Sequence, residues 1–177
     1  MPRKWLESLS PEARARAEAL IDELHTLGAP RPDAWAHHEI REGLPQLSRY
    51  LLLRHLWDEA IDAWRDSPLW MENLAEDARK GTEGPFADAA GAILRLLESG
   101  AAPSDLQTIA RFVAYETVFS VLHGLDEGYD TDREGSLPGW ALVERDPLGH
   151  VTGRHLDRLH VDLPSLDPSA EADEPGP

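Results

Sequence analysis

From Arg3 to Gly124 the apolar residues recur three or four positions apart, the spacing of amphipathic helices. Arg3 to Leu9 predicts a short helical turn. Ser10-Pro11-Glu12 then supplies an N-cap followed by proline at the first helical position, and Ala13, Ala17, Leu20, Ile21, Leu24 and Leu27 form one stripe before Gly28 to Pro32 stops it. Asp33 reads as the cap of a shorter helix that carries Trp35, His37, His38, Glu39, Ile40 and Glu42 and ends at Gly43. From Pro45 to Arg65 a longer helix places Tyr50, Leu52, Leu53, Leu56, Trp57, Ala60, Ile61 and Trp64 on a wide apolar arc, opposite His55, Asp58, Glu59 and Asp62. Ser67-Pro68 opens another helix, ended by Lys80-Gly81, and Pro85-Phe86 opens one that stops at Ser99-Gly100. Its small residues Ala89, Ala90 and Gly91 predict a close approach to the helix that follows.

That following helix, Ser104 to Gly124, is the most apolar segment of the chain. Leu106, Ile109, Ala110, Val113 and Val121 cover one side of its wheel, and Phe112, Tyr115, Val118, Phe119 and Leu122 cover much of the other. A helix apolar nearly all round is expected to be buried on several sides, with the other helices packed around it. Glu116, Ser120 and His123 interrupt this surface at i, i+4, i+7 spacing and so share one stripe. Two expectations follow for it. Either Glu116 is buried against an arginine, with Arg49 and Arg111 the candidates, or Glu116, Ser120, His123 and Arg49 line a binding pocket in the core.

After Gly124 the periodicity ends. Asp126 to Ser136 reads as an exposed acidic connector, Trp140 to Glu144 as a strand, Asp146-Pro147-Leu148-Gly149 as a type I turn and His150 to Thr152 as a returning strand. Trp140 and Leu142 are expected to anchor this hairpin on the helices, and His155 to Leu163 to add a final helical turn or two. The predicted fold is a mainly α, single-domain bundle of about five or six helices around a buried central helix, with a small C-terminal β-hairpin. Its organisation is a helical domain over 1–128, a connector and hairpin appendage over 129–163 and a disordered acidic tail over 164–177.

Charge narrows the functional classes. The 177 residues carry a formal net charge of -16, concentrated in Asp126 to Gly135 and Asp162 to Pro177. Such a chain repels phosphate backbones and anionic membranes, which disfavours nucleic-acid and membrane partners and leaves a basic protein as the favoured one. The absence of cysteine excludes disulfides, thiolate metal sites and cysteine nucleophiles. With no apolar leader after Met1 and no uncharged apolar stretch long enough to span a bilayer, a cytoplasmic location is expected. Only Lys4 and Lys80 are lysines against fifteen arginines, a usage typical of high-GC bacterial genomes.

Candidate chemistry is sparse. Glu39-x-x-Glu42 and Glu59-x-x-Asp62 are carboxylate pairs on successive helices, the arrangement a Mg²⁺ site for pyrophosphate cleavage needs. Over Glu39 to Asp62 it resembles the acidic motif of the all-α nucleotide pyrophosphohydrolases, and the resemblance implies Mg²⁺-dependent hydrolysis of nucleoside triphosphates. His37 and His38 with Glu42, and His55 with Glu59, offer ligand spacings for zinc or iron, against a plainer reading as surface residues. His150, His155 and His160 do not align on one helical face and are expected to be unrelated surface residues. No phosphate loop, nucleophile elbow or aromatic-basic patch is present. The leading expectation is therefore a cofactor-free binding protein of the immunity, inhibitor or adaptor type, with acids for steering and some of the six Trp as anchors.

Overall fold

The computed structural model describes residues 4–65, 67–129 and 137–167. Over these residues the protein is mainly helical, with one two-stranded antiparallel hairpin near the C-terminus, as the sequence predicts. The chain divides into two compact units, one comprising Met1–His55 with Phe119–Pro177 and the other Leu56–Val118. Composition does not mark this division, because it falls inside continuous helical segments rather than at a Gly- or Pro-rich linker.

In the first unit α1 (Lys4–Glu7) precedes α2 (Pro11–Thr26), whose Ser10 cap accepts a 3.3 Å hydrogen bond from the Ala13 amide. Helix α3 (Pro32–Glu42) packs on α2 and ends at Gly43, whose φ of 73° is the left-handed conformation a helix stop uses. Its N-cap is Arg31 rather than Asp33: Arg31 takes a left-handed φ of 51°, and proline occupies the first helical position. Helix α4 (Gln46–Leu56) lies in this unit except for its last residue. Ala17, Ile21 and Leu24 of α2 meet the environment of Trp35, Ala36, Tyr50 and Leu53 in a buried core, where each large side chain contributes roughly 1.5–3 kcal/mol. Tyr50 Oη and Arg54 Nη1 both donate to the Leu27 carbonyl, at 3.0 and 2.9 Å, which satisfies an acceptor at the end of α2.

The hairpin joins β1 (Val143–Arg145) to β2 (Val151–His155), with Val143 opposite His155. Asp146 builds its turn by accepting the amides of Leu148 and His150, both at 2.9 Å. Trp140 stands before β1, 47 % exposed, and donates from Nε1 to the Gly124 carbonyl at 3.0 Å. Beyond the hairpin, α8 (Leu159–Asp162) leads into a 3-10 turn, Leu163–Leu166. Leu159 and Leu163 are fully buried. The described chain is thus structured through the first residues of the predicted tail, and residues 168–177 lie outside the description.

In the second unit α5 (Leu69–Lys80) and α6 (Ala87–Glu98) form an antiparallel pair, with Met71, Ala75 and Ala90 buried. The close partner of α6 is therefore the helix before it, where the sequence predicts the helix after it. That later helix, α7 (Pro103–Glu127), contributes its residues up to Val118 to this unit and the remainder to the first. The predicted burial of α7 on several sides is not observed. Leu122 is its one fully buried residue, and Ile109, Phe112, Val113 and Val121 are all more than half exposed. A helical wheel counts apolar residues but does not distinguish a core face from an exposed patch, and that is why the prediction fails.

A second departure follows α4. Trp57–Ile61 forms a π-turn and Asp62–Trp64 a 3-10 turn, where the sequence predicts uninterrupted α-helix to Arg65. A π-turn takes up one extra residue, so everything after it is rotated by about 100° from its α-helical phase. Asp62, predicted on the solvent side, is accordingly 7 % exposed, and Trp64, predicted on the apolar arc, is 38 % exposed.

Candidate functional site

The outward face of α7 in the second unit holds the main unpartnered apolar surface of that helix. Ile109, Phe112 and Val113 are 59, 62 and 54 % exposed. Their i, i+3, i+4 spacing makes them neighbours on the helix surface. Asp105 lies four residues before Ile109, and Glu116 four after Phe112 and three after Val113, both exposed. About one turn of apolar side chains is thus bracketed by a carboxylate at each end. Exposed contiguous apolar side chains with a charged rim are the signature of an interaction surface.

The opposite face of the same helix is held down by charge and aromatic contact. Arg111 Nε donates to Asp62 Oδ1 at 2.7 Å, and Arg65 reaches Asp62 Oδ2 at 3.2 Å. The Arg111 guanidinium also lies 5.7 Å from the Trp57 ring centroid, and Trp57 meets Tyr115 edge-on at 5.9 Å. The π-turn supplies both Trp57 and the inward Asp62, so the backbone irregularity positions the anchor that orients α7. Arg111 was one of two arginines expected for Glu116; its carboxylate is Asp62.

Arg49, the other candidate, is 3 % exposed and is also paired elsewhere. Its guanidinium bonds Asp162 Oδ2 at 2.5 Å, Gln46 Oε1 at 3.1 Å and the Arg158 carbonyl at 3.2 Å. Arg158 takes a left-handed φ of 59°, a costly conformation outside glycine, and in it the carbonyl meets the buried arginine. A small cleft of about 230 Å³ adjoins this group, lined by His38, Glu42, Gln46, Arg49, Arg158 and Asp162. The expectation that Arg49 seeks a buried carboxylate thus holds in kind, with a partner 113 positions away instead of Glu116.

Within each unit the carboxylate pair of the Mg²⁺ reading is divided between different environments. Glu39 is buried, accepts the Leu47 amide at 3.1 Å and is clamped by Arg154 at 2.8 Å and Arg16 at 3.7 Å. Glu42, three residues on, is exposed and bonds His38 at 2.8 Å. Glu59 is exposed while Asp62 is taken by two arginines. Each pair is split between an arginine-bound interior and solvent, and among the described residues no three His, Asp or Glu side chains form a metal-binding group. An open cleft of about 600 Å³ lies against Glu39, lined also by Ser10, Arg16, Gly43 and Arg154.

The stripe Glu116, Ser120, His123 is exposed throughout, so the buried-pocket reading and the buried-pair reading both give way to a surface. Arg49 is not part of it. The residues that sequence reasoning missed are Glu144, Arg154 and Asp162: Arg154 also bonds Glu144 at 3.3 Å, and Ser48 donates to Glu144 at 2.8 Å, tying both strands to α3 and α4. No periodicity signals pairs about a hundred positions apart. No protein-family model, curated protein or solved structure matches the chain. No helix among the described residues is long and apolar enough to cross a membrane.

Proposed function

We propose that this is a binding protein that engages a basic protein partner through the outward face of α7, in the manner of an immunity, inhibitor or adaptor protein. The exposed Ile109, Phe112 and Val113 between Asp105 and Glu116 carry this reading. Covering three large apolar side chains supplies affinity, at roughly 25 cal/mol for each Å² removed from water. The two carboxylates and the net charge of -16 favour cationic partners and speed their approach. A partner that meets this face presents an apolar patch flanked by Lys or Arg.

The test is affinity capture at low salt by the wild-type chain and by a Phe112→Ser, Glu116→Lys variant, followed by direct titration of the purified captured protein. The expected partner is basic, released by high salt and held far more weakly by the variant. Equal titration curves for wild type and variant would overturn the assignment to this face.

A further inference from the structure

The end of α7 within the first unit brings two histidines together. The rings of His123 and His160 lie 4.9 Å apart between centroids, inclined at 64°. His160 Nδ1 bonds Asp126 Oδ2 at 2.5 Å, and the same carboxylate accepts the His160 amide at 3.2 Å. The Asp126 side chain is 8 % exposed and the His160 side chain 23 %. His123 Nδ1 faces Glu127 Oε2 at 4.0 Å, and Phe119 packs edge-on to His160 at 5.6 Å. Sequence spacing predicts His160 as an unrelated surface residue; the structure gives it a buried carboxylate partner and a second imidazole.

We infer that His123 and His160 form a binding site for one divalent transition-metal ion, of the Zn²⁺, Ni²⁺ or Cu²⁺ kind. Two observations carry it. A buried carboxylate on Nδ1 fixes ring orientation and selects the tautomer with a lone pair on Nε2, which is how metal-ligating histidines are supported. Glu127 lies beside His123 without bonding it, its Oε2 4.0 Å from Nδ1. The ring separation also fits: two imidazoles on one ion, with metal–nitrogen bonds of about 2.0–2.1 Å, have centroids roughly 4.5–5.2 Å apart for ligand angles between square-planar and tetrahedral. The two Nε2 atoms are the protein ligands, and water completes the shell on the solvent side, where the His123 side chain is 50 % exposed. Asp126 does not touch the ion and acts as a positioning residue through His160. Hard cations such as Mg²⁺ and Ca²⁺ are poor occupants because the donors are imidazole nitrogens.

The experiment is calorimetric titration of the full chain with ZnCl₂ and NiCl₂, paired with electron paramagnetic resonance of the Cu²⁺ form. One ion per chain and superhyperfine coupling from two nitrogens are expected. His123→Ala, a change at a half-exposed side chain that leaves the His160–Asp126 pair intact, should abolish the stoichiometric event and leave far-UV circular dichroism unchanged. Asp126→Asn should weaken binding by about 10–100-fold while keeping the two-nitrogen signal. Failure of the wild type to bind, or equal binding by wild type and His123→Ala, would overturn the site, the latter by assigning the ion to other histidines.

Discussion

The two units of the molecule solve the same packing problem with different means. In the first, polar pairs link segments far apart in the chain: Arg49 with Asp162, Glu39 with Arg154, Ser48 with Glu144 and Asp126 with His160. In the second, the organisation is more local, an α5–α6 pair beside a π-turn whose Asp62 and Trp57 hold one face of α7. The buried apolar residues divide the same way. Among the described residues the second unit holds Trp57, Ile61, Met71, Ala75 and Ala90, and the first holds the remaining thirteen of the eighteen. Exposed large apolar side chains do not divide this way: Val121, Leu148 and Val151 of the first unit are more than half exposed, as are Phe86, Ile109 and Phe112 of the second, so the two units differ in core and not in apolar surface. Stability is therefore expected to be concentrated in the first unit, and hydrogen exchange to be faster from α5 and α6 than from α2 and α3.

The largest effect is expected where a long-range pair is broken. Arg49→Ala removes a buried guanidinium from Asp162, Gln46 and the Arg158 carbonyl and should destabilise by about 3–5 kcal/mol in urea unfolding. A loss below about 1 kcal/mol would mean that these distant contacts do not set the stability of the first unit. Asp62→Ala should cost less, about 1.5–3 kcal/mol, because Arg65 and Arg111 keep partial access to water. Its exchange signature sharpens the comparison: amides of α7 before Val118 should lose protection, and those of α2 and α3 should not.

How much of this was legible in the sequence depends on range. Helix starts and stops were readable at Ser10-Pro11, Gly43 and Gly81 because capping is local chemistry. The hairpin was readable at Asp146 to Gly149 for the same reason, although its strands begin and end later than predicted. Asp62 and Trp64 were misplaced because a single π-turn, which nothing in the pattern announces, changes the phase of all that follows. The partners of Arg49 and Glu39 were illegible because nothing local selects a residue some 110 positions away. Glu116 was misjudged because an apolar surround on a wheel is not an apolar surround in space.

A smaller effect tests that last correction. Glu116→Gln, at an exposed position, should change unfolding free energy by no more than about 0.5 kcal/mol, against several for a buried ion-paired carboxylate. The smallest effect belongs to the turn. The His150 amide, then the His150 ring and the Leu148 and Gly149 amides, hold the Asp146 carboxyl below its usual range. Because the folded value is depressed, its contribution is present above the unfolded value of about 3.9 and is lost as pH falls through the lower folded value. Nuclear magnetic resonance should show the His150 amide shift titrating below pH 3.9, about the unfolded value, and Asp146→Asn should abolish that step.

The central claim is that one face of α7 serves folding and the other is left free for a partner. It is tested most directly by the unfolding midpoint of an Ile109→Gln, Phe112→Gln, Val113→Gln triple variant. Glutamine is a better helix former than any of the three residues it replaces, so a helix with a solvent-facing stripe should melt at an unchanged or slightly higher temperature. A fall in Tm of about 10 °C or more, the mark of several kcal/mol of lost packing, would contradict the claim by showing that the stripe belongs to the core.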